Sequence, residues 1–262
     1  MTTTPSSAAR VARLSAAAAA LCLAACSSTG VTAQLGYSYA SLGGSLALDD
    51  GTGSASGSAQ QGIGSAFGLR DAHGSPFVRV QADLGAPVLT ASVFWLRQAG
   101  SGRLDDTFGG LAQGDQVETS LDLSVGKIDA VYDLELGPLK VSPGVAVDVF
   151  AIDFVARDAN LGGSEQIDDV VFVPMPFVRV EGGLGPVTAV GELGFLEVEG
   201  LGDSGGRFLD ASAMFEYRLA AGLHLFGGYR FLDLDGTGST GTEGYTLDLQ
   251  LRGWTFGGGL RF

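Results

Sequence analysis

Residues Tyr245–Phe262 read YTLDLQLRGWTFGGGLRF. Counted back from the end, Phe262, Leu260, Gly258, Phe256 and Trp254 share one face, and Arg261, Gly259, Gly257 and Thr255 share the other. A period of two is the signature of a β-strand, whose successive side chains point to opposite sides. One face is aromatic or aliphatic apart from a single glycine. Upstream, Leu247, Leu249 and Leu251 fall on the opposite parity. A β-bulge near Arg252-Gly253 would bring the two halves into step, and another near Gly126-Lys127 would do the same for Val125 and Ile128.

The same alternation runs back through the chain. Leu209, Ala211, Ala213, Phe215, Tyr217 and Leu219 oppose Asp210, Ser212, Met214, Glu216 and Arg218. Leu139, Val141, Val145, Val147 and Val149 oppose Lys140, Ser142, Ala146 and Asp148. Gly-Pro or Gly-Ala-Pro turns at 85–87, 137–138 and 185–186 alternate with longer Gly, Ser, Thr and Asp-rich stretches at 49–75, 103–116, 157–168, 199–207 and 235–244. The pattern predicts an all-β, antiparallel, up-and-down barrel of ten strands, near 34–48, 76–85, 88–102, 117–136, 139–156, 169–184, 187–198, 208–219, 223–234 and 245–262. Eight strands is the alternative count. Pro76-Phe77-Val78-Arg79-Val80 returns as Pro176-Phe177-Val178-Arg179-Val180, an internal repeat consistent with serial hairpins.

Composition narrows the function classes. Among 262 residues there are 42 glycines, too many for sustained helices, since an interior glycine costs about 1 kcal/mol against alanine. The net charge of −14 leaves no basic surface for nucleic acid. Both cysteines, Cys22 and Cys26, lie near the N-terminus, so the body of the chain has no disulfide or thiolate metal site.

A phenylalanine closing an aromatic, alternating strand resembles the C-terminal assembly signal of bacterial outer-membrane β-barrel proteins, here carried by Trp254, Phe256, Leu260 and Phe262. The resemblance implies a transmembrane barrel of a bacterium with two membranes, inserted by the outer-membrane assembly machinery and partnered by outer-membrane lipids. Short turns and both termini would be periplasmic. The N-terminal segment, two arginines followed by an apolar run to Leu23-Ala24-Ala25-Cys26, reads as a secretory signal. Leu-Ala-Ala-Cys resembles the lipobox of bacterial lipoproteins, which implies a leader of 1–26 lipidated at Cys26. Cleavage after Ala33 is the other reading, with the barrel domain taken as 34–262.

With that parity, Arg79, Asp122, Lys127, Asp148, Arg179, Glu192, Asp210, Glu216, Arg218, Arg230 and Asp248 are expected in the lumen. Charges of both signs inside a low-dielectric wall must pair or stay wet. A barrel of about ten strands is narrow, since eight leave only a side-chain-filled interior and aqueous channels need sixteen or more. The expected role is a closed barrel of structural or surface-interaction function, with a narrow, weakly cation-selective channel as the alternative. A hydrolase is the remoter alternative. Ten-stranded omptin-like proteases place histidine and acidic residues at the extracellular rim. Here Asp71, His73 and Ser75 alternate along a strand without the geometry of a triad, and His224 adjoins a periplasmic turn. Asp233-Leu234-Asp235-Gly236 faintly resembles a calcium loop but lacks the glutamate such a loop needs at its twelfth position, where Gly244 stands. No catalytic residue, cofactor or metal ligand is therefore assigned, and no soluble ligand.

Overall fold

The computed structural model describes residues 30–48, 59–160, 162–201, 204–220, 222–240 and 243–262. The segment expected as a leader, 1–26, lies outside these residues. Ten long antiparallel strands form a closed ring. They are β1 (Gly30–Leu48), β3 (His73–Asp83), β4 (Val88–Arg103), β5 (Gln116–Val131), β7 (Leu139–Asp158), β8 (Ser164–Leu184), β9 (Val187–Leu201), β10 (Ser204–Ala220), β11 (Leu223–Thr240) and β12 (Glu243–Arg261). Each pairs with its neighbours in sequence, and β12 pairs with β1 to close the ring. Two short strands are appended, β2 (Gln61–Gly62) on β1 and β6 (Leu134–Leu136) on β7. At one end, the turn end, lie the tight hairpins and the outer ends of β1 and β12. The other is the loop end. Near the turn end every long strand is paired on both sides, whereas toward the loop end two seams part: β8 and β9 pair only over Phe177–Leu184 and Val187–Gly194, and β3 and β4 only over Phe77–Asp83 and Val88–Phe94.

The strands outrun the sequence expectation. β9, β10, β11 and β12 continue through 199–201, 204–207, 235–240 and 243–244, where glycine and polar residues suggested loops. Backbone pairing with the neighbouring strand holds these segments extended, overriding their weak β-propensity. The calcium-like Asp233–Gly238 stretch accordingly lies inside β11. β1 begins at Gly30, four residues before the expected start, and Val31 exchanges backbone hydrogen bonds with Phe262 (N–H to O 3.3 Å and 2.8 Å).

Neither expected bulge exists. β12 runs in unbroken register against both β1 and β11, and β5 does so against β4 and β7. What changes along each strand is the chemistry of the two faces. Near the turn end the outer face is apolar (Leu35, Tyr37, Ile128, Phe215, Leu225, Trp254, Phe256, Leu260) and the inner face polar (Gln34, Arg79, Lys127, Asp129, Asp210, Arg230). Toward the loop end the faces exchange roles. Leu42, Leu121, Leu123, Phe150, Ile152, Leu232, Leu247, Leu249 and Leu251 are buried inside, while Arg97, Asp122, Asp153, Arg207, Asp233, Asp248 and Gln250 stand outside. Outer pairs bridge neighbouring strands there, Arg97 to Asp122 at 2.8 Å and Arg207 to Asp233 at 3.4 Å. The loop-end half therefore has the logic of a water-soluble barrel, with an apolar core whose Leu and Phe side chains each contribute about 1.5–3 kcal/mol on burial. The turn-end half has the inverse logic, suited to an apolar surround.

Residues 59–72, expected as part of a solvated loop, fold back into the loop-end opening; 49–58 lie outside the described residues. A single helical turn, Ile63–Ala66, leads to Phe67 and Leu69, and Ile63, Ala66, Phe67 and Leu69 are all buried. Phe67 meets Phe108 and Phe154 edge-on, with ring centres 5.1 and 5.0 Å apart. Gln61 fastens the segment to the 103–116 loop, donating to the carbonyls of Asp106 (2.5 Å) and Thr107 (3.2 Å) and accepting from the Asp105 N–H (2.9 Å). The sequence signal was apolar spacing at 63, 67 and 69 within a tract dominated by Gly and Ser.

Candidate functional site: the lumen

Eight charges, seven of them buried and Arg230 half-buried, cross the lumen in its turn-end half. Arg79 comes from β3, Lys127 and Asp129 from β5, Asp148 from β7, Arg179 from β8, Glu192 from β9, Asp210 from β10 and Arg230 from β11. Each occupies an inward position of its strand, so the period-two pattern puts them on the inner face, and the register between strands sets them at one height. Glu192 is the hub. It accepts from Arg79 at 2.5 Å, from Arg179 at 3.1 Å, from Lys127 at 3.1 Å and from the Ser212 hydroxyl at 3.3 Å. The two arginines that converge on it are the equivalent residues of the repeated Pro-Phe-Val-Arg-Val motif. Arg179 also donates to Asp129 (2.9 Å) and to the Thr90 hydroxyl (2.7 Å).

The layer continues through Asp210, which accepts from Lys127 at 2.9 Å and from Arg230 at 3.0 and 3.1 Å. Lys127 lies 4.2 Å from the centre of the Phe177 ring, a cation–π contact on top of its ion pairs. Asp148 is the loosest member, with Arg230 at 3.6 Å and no hydrogen bond among the described residues. Four cations face four carboxylates, so the layer is neutral when all are ionised. Desolvation makes each charge costly alone, and mutual pairing offsets that cost.

The other expected lumen residues divide. Glu216 faces inward and accepts from Gln34 at 2.6 Å, and Arg218 lines the turn-end mouth. Asp122 and Asp248 do not enter the lumen; both stand on the outer wall of the loop-end half. The expected bulges would have turned them inward, and unbroken register turns them out. Gln34, Thr90 and Ser212 joined the lumen network unforeseen, because nothing in a hydroxyl's or amide's position along a strand marks it as an ion-pair support. Trp254, Phe256, Leu260 and Phe262 are exposed on the outer face of β12, beside the seam with β1.

No relay links Asp71, His73 and Ser75. His73 Nδ1 lies 3.0 Å from the backbone carbonyl of Asp71, not its carboxylate. Ser75 is buried, donating to the Pro76 carbonyl (3.2 Å) and accepting from the Trp95 N–H (3.0 Å). His224, at the turn end, has Nε2 3.0 Å from the Gln34 amide nitrogen. Among the described residues no group of histidine, cysteine and carboxylate side chains is arranged to hold a metal ion.

The sequence matches no protein-family model and no curated protein. In structure the chain is similar to the outer-membrane protease OmpT from Escherichia coli, with a TM-score of 0.57 at 10% identity over 89% of this chain and 97% of that one. It is also similar to the outer-membrane protein AlkL solved in lipid bilayers (TM-score 0.38, 14% identity, 89% and 90% covered) and to the toluene transporter TodX of Pseudomonas putida (0.34, 9%, 89% and 90%). The closed ring of ten antiparallel strands, apolar on its turn-end exterior, is that of an outer-membrane β-barrel. At these identities the likeness concerns the fold alone.

Proposed function

We propose that the chain is an integral outer-membrane barrel with a closed lumen, whose role is structural or one of surface interaction at the loop end, and which has no enzymatic activity. The observation that carries this reading is the eight-charge layer across the turn-end half, backed by the apolar fill above it and by the Gln61–Leu69 stopper. An ion crossing would have to separate Glu192 from three cations and then traverse Leu and Phe side chains. In this reading the turn end and both termini face the periplasm. The outer face from Trp254 to Phe262, about 27 Å of strand and about 20 Å of height at a tilt of about 35–45°, meets the lipid. The aromatics of β12 act as the signal read by the assembly machinery. Lipidation at Cys26 is supported by the start of β1 at Gly30. Processing after Ala33 would remove Gly30–Ala33 from the ladders with β12 and β3. Metabolic labelling with a fatty acid tests this; loss of label on Cys26→Ser supports it, and an unlabelled protein beginning at Gln34 refutes it.

Planar-bilayer recording of the refolded protein tests the closed lumen. Silent bilayers, with folding verified by a heat-sensitive shift in gel mobility, are the expected result. Discrete ohmic steps that shrink on Asp148→Asn or Asp210→Asn would overturn the reading and restore a cation-selective channel.

A further inference from the structure

Below the ion-pair layer the lumen opens at the turn end into a chamber of about 460 Å³. That volume falls within the range of small-ligand sites, about 300–1,000 Å³. Arg79, already engaged by Glu192, marks its inner limit.

The two walls differ in charge balance. On one, Lys140 is matched by Glu181 at 2.8 Å and Asp133 at 3.2 Å, and Glu135 stands directly opposite Lys140 in the β6–β7 ladder. On the other, Arg218, His224 and Arg261 lie on the adjacent strands β10, β11 and β12. Arg218 is opposite His224, and His224 is opposite Gly259, two residues before Arg261. Neither Arg218 nor Arg261 has an ion-pair partner among the described residues. Glu216, the carboxylate on this wall, is set one inward step deeper and is engaged by Gln34. The imidazole lies against Gly259 so closely that a Cβ there would sit 2.5 Å from its Nε2. That glycine pins the ring beside Gln34, whose buried Oε1 has no hydrogen-bond partner.

We propose that this chamber is a binding site for a small phosphate-bearing solute, held between the guanidinium groups of Arg218 and Arg261. Two unpaired guanidiniums on one wall of a chain carrying a net −14 run against its overall charge. A dianion seated on this wall would supply both with the counter-charge that the described residues do not. Guanidinium also matches phosphate geometrically, presenting parallel N–H donors to two oxygens. Both arginines are exposed at the mouth, so the grip depends on the two guanidinium groups engaging one anion together rather than on burial. The solute binds without crossing, because the ion-pair layer closes the inner end. That it binds without crossing rests on the closed lumen proposed above, and the compartment it is drawn from, the periplasm, on the orientation proposed there.

The test is a titration of the full mature chain, refolded in detergent micelles, with inorganic phosphate, followed by phosphorus NMR line width. Saturable broadening is expected, weakened at least tenfold by Arg218→Gln and by Arg261→Gln. It should be unchanged by Arg97→Gln, which removes an outer-face arginine already paired with Asp122. Arg218→Lys, which keeps the charge but not the fork, should fall between. All four variants are checked for the heat-sensitive mobility shift, and Arg218→Gln alone suffices if Arg261→Gln does not fold. Absence of saturable binding, or equal binding in Arg218→Gln and Arg97→Gln, overturns the proposal whether or not the lumen conducts.

Discussion

Glu192→Gln removes one negative charge from a layer in which four cations face four carboxylates, with little change of volume. Three of those cations, Arg79, Arg179 and Lys127, bond Glu192 directly at 2.5–3.1 Å, and its side chain is 5% exposed. Removing one partner of a buried pair costs about 3–5 kcal/mol, because the other charge stays desolvated and unmatched. Glutamine keeps one acceptor oxygen but turns an N–H₂ toward a cation, so about 3 kcal/mol is the expected loss. Glu181→Gln is the control. Its partner Lys140 is 29% exposed and retains Asp133, so the loss there should stay below about 1 kcal/mol. Both are measured by denaturant unfolding of the lipid-embedded protein, with Trp95 and Trp254 as fluorescent reporters. Equal losses for the two variants, or a loss below about 1 kcal/mol for Glu192→Gln, would refute the claim that this layer holds the turn-end half together.

Leu123→Ala in the loop-end core should destabilise by about 2–5 kcal/mol, and Ile128→Ala, on the outer face of the same strand, by far less. With Cys22 and Cys26 absent or replaced, a water-soluble maleimide should label Asp122→Cys rapidly and Leu123→Cys slowly. The reverse order would restore the bulge. Gly257→Val should block folding, since a Cβ there meets the backbone of Leu35 and Gly36 and comes within 2.8 Å of the Phe226 ring, whereas Gly258→Ala has its nearest neighbour at 3.6 Å and should fold normally. The gel-mobility shift distinguishes them. Deleting Phe262 removes the hydrogen bonds with Val31 and one belt aromatic, and should slow assembly into membranes; unchanged assembly kinetics would remove Phe262 from the signal.

The sequence by itself determined that this chain is an antiparallel, up-and-down barrel of ten strands or eight, and the structure decides for ten. Period-two alternation needs only that side chains point to opposite faces, and tight Gly-Pro turns at one end with long polar stretches at the other set the order of hairpins. It also placed Arg79, Lys127, Asp148, Arg179, Glu192, Asp210 and Arg230 on inward positions, because near the turn end polar means inside. Tertiary structure decided the rest. Alternation says that Leu249 and Asp248 face opposite ways but not which of them faces in. That depends on height along the strand, since the surround changes from apolar to aqueous and the favourable arrangement inverts with it. A strand crossing that boundary looks in sequence like one that has slipped by a residue, which is why Asp122 and Asp248 were expected inside. The partnerships were equally illegible. Arg79 and Glu192 are 113 positions apart, and only closure of the ring brings their strands' inner faces within a hydrogen bond of each other.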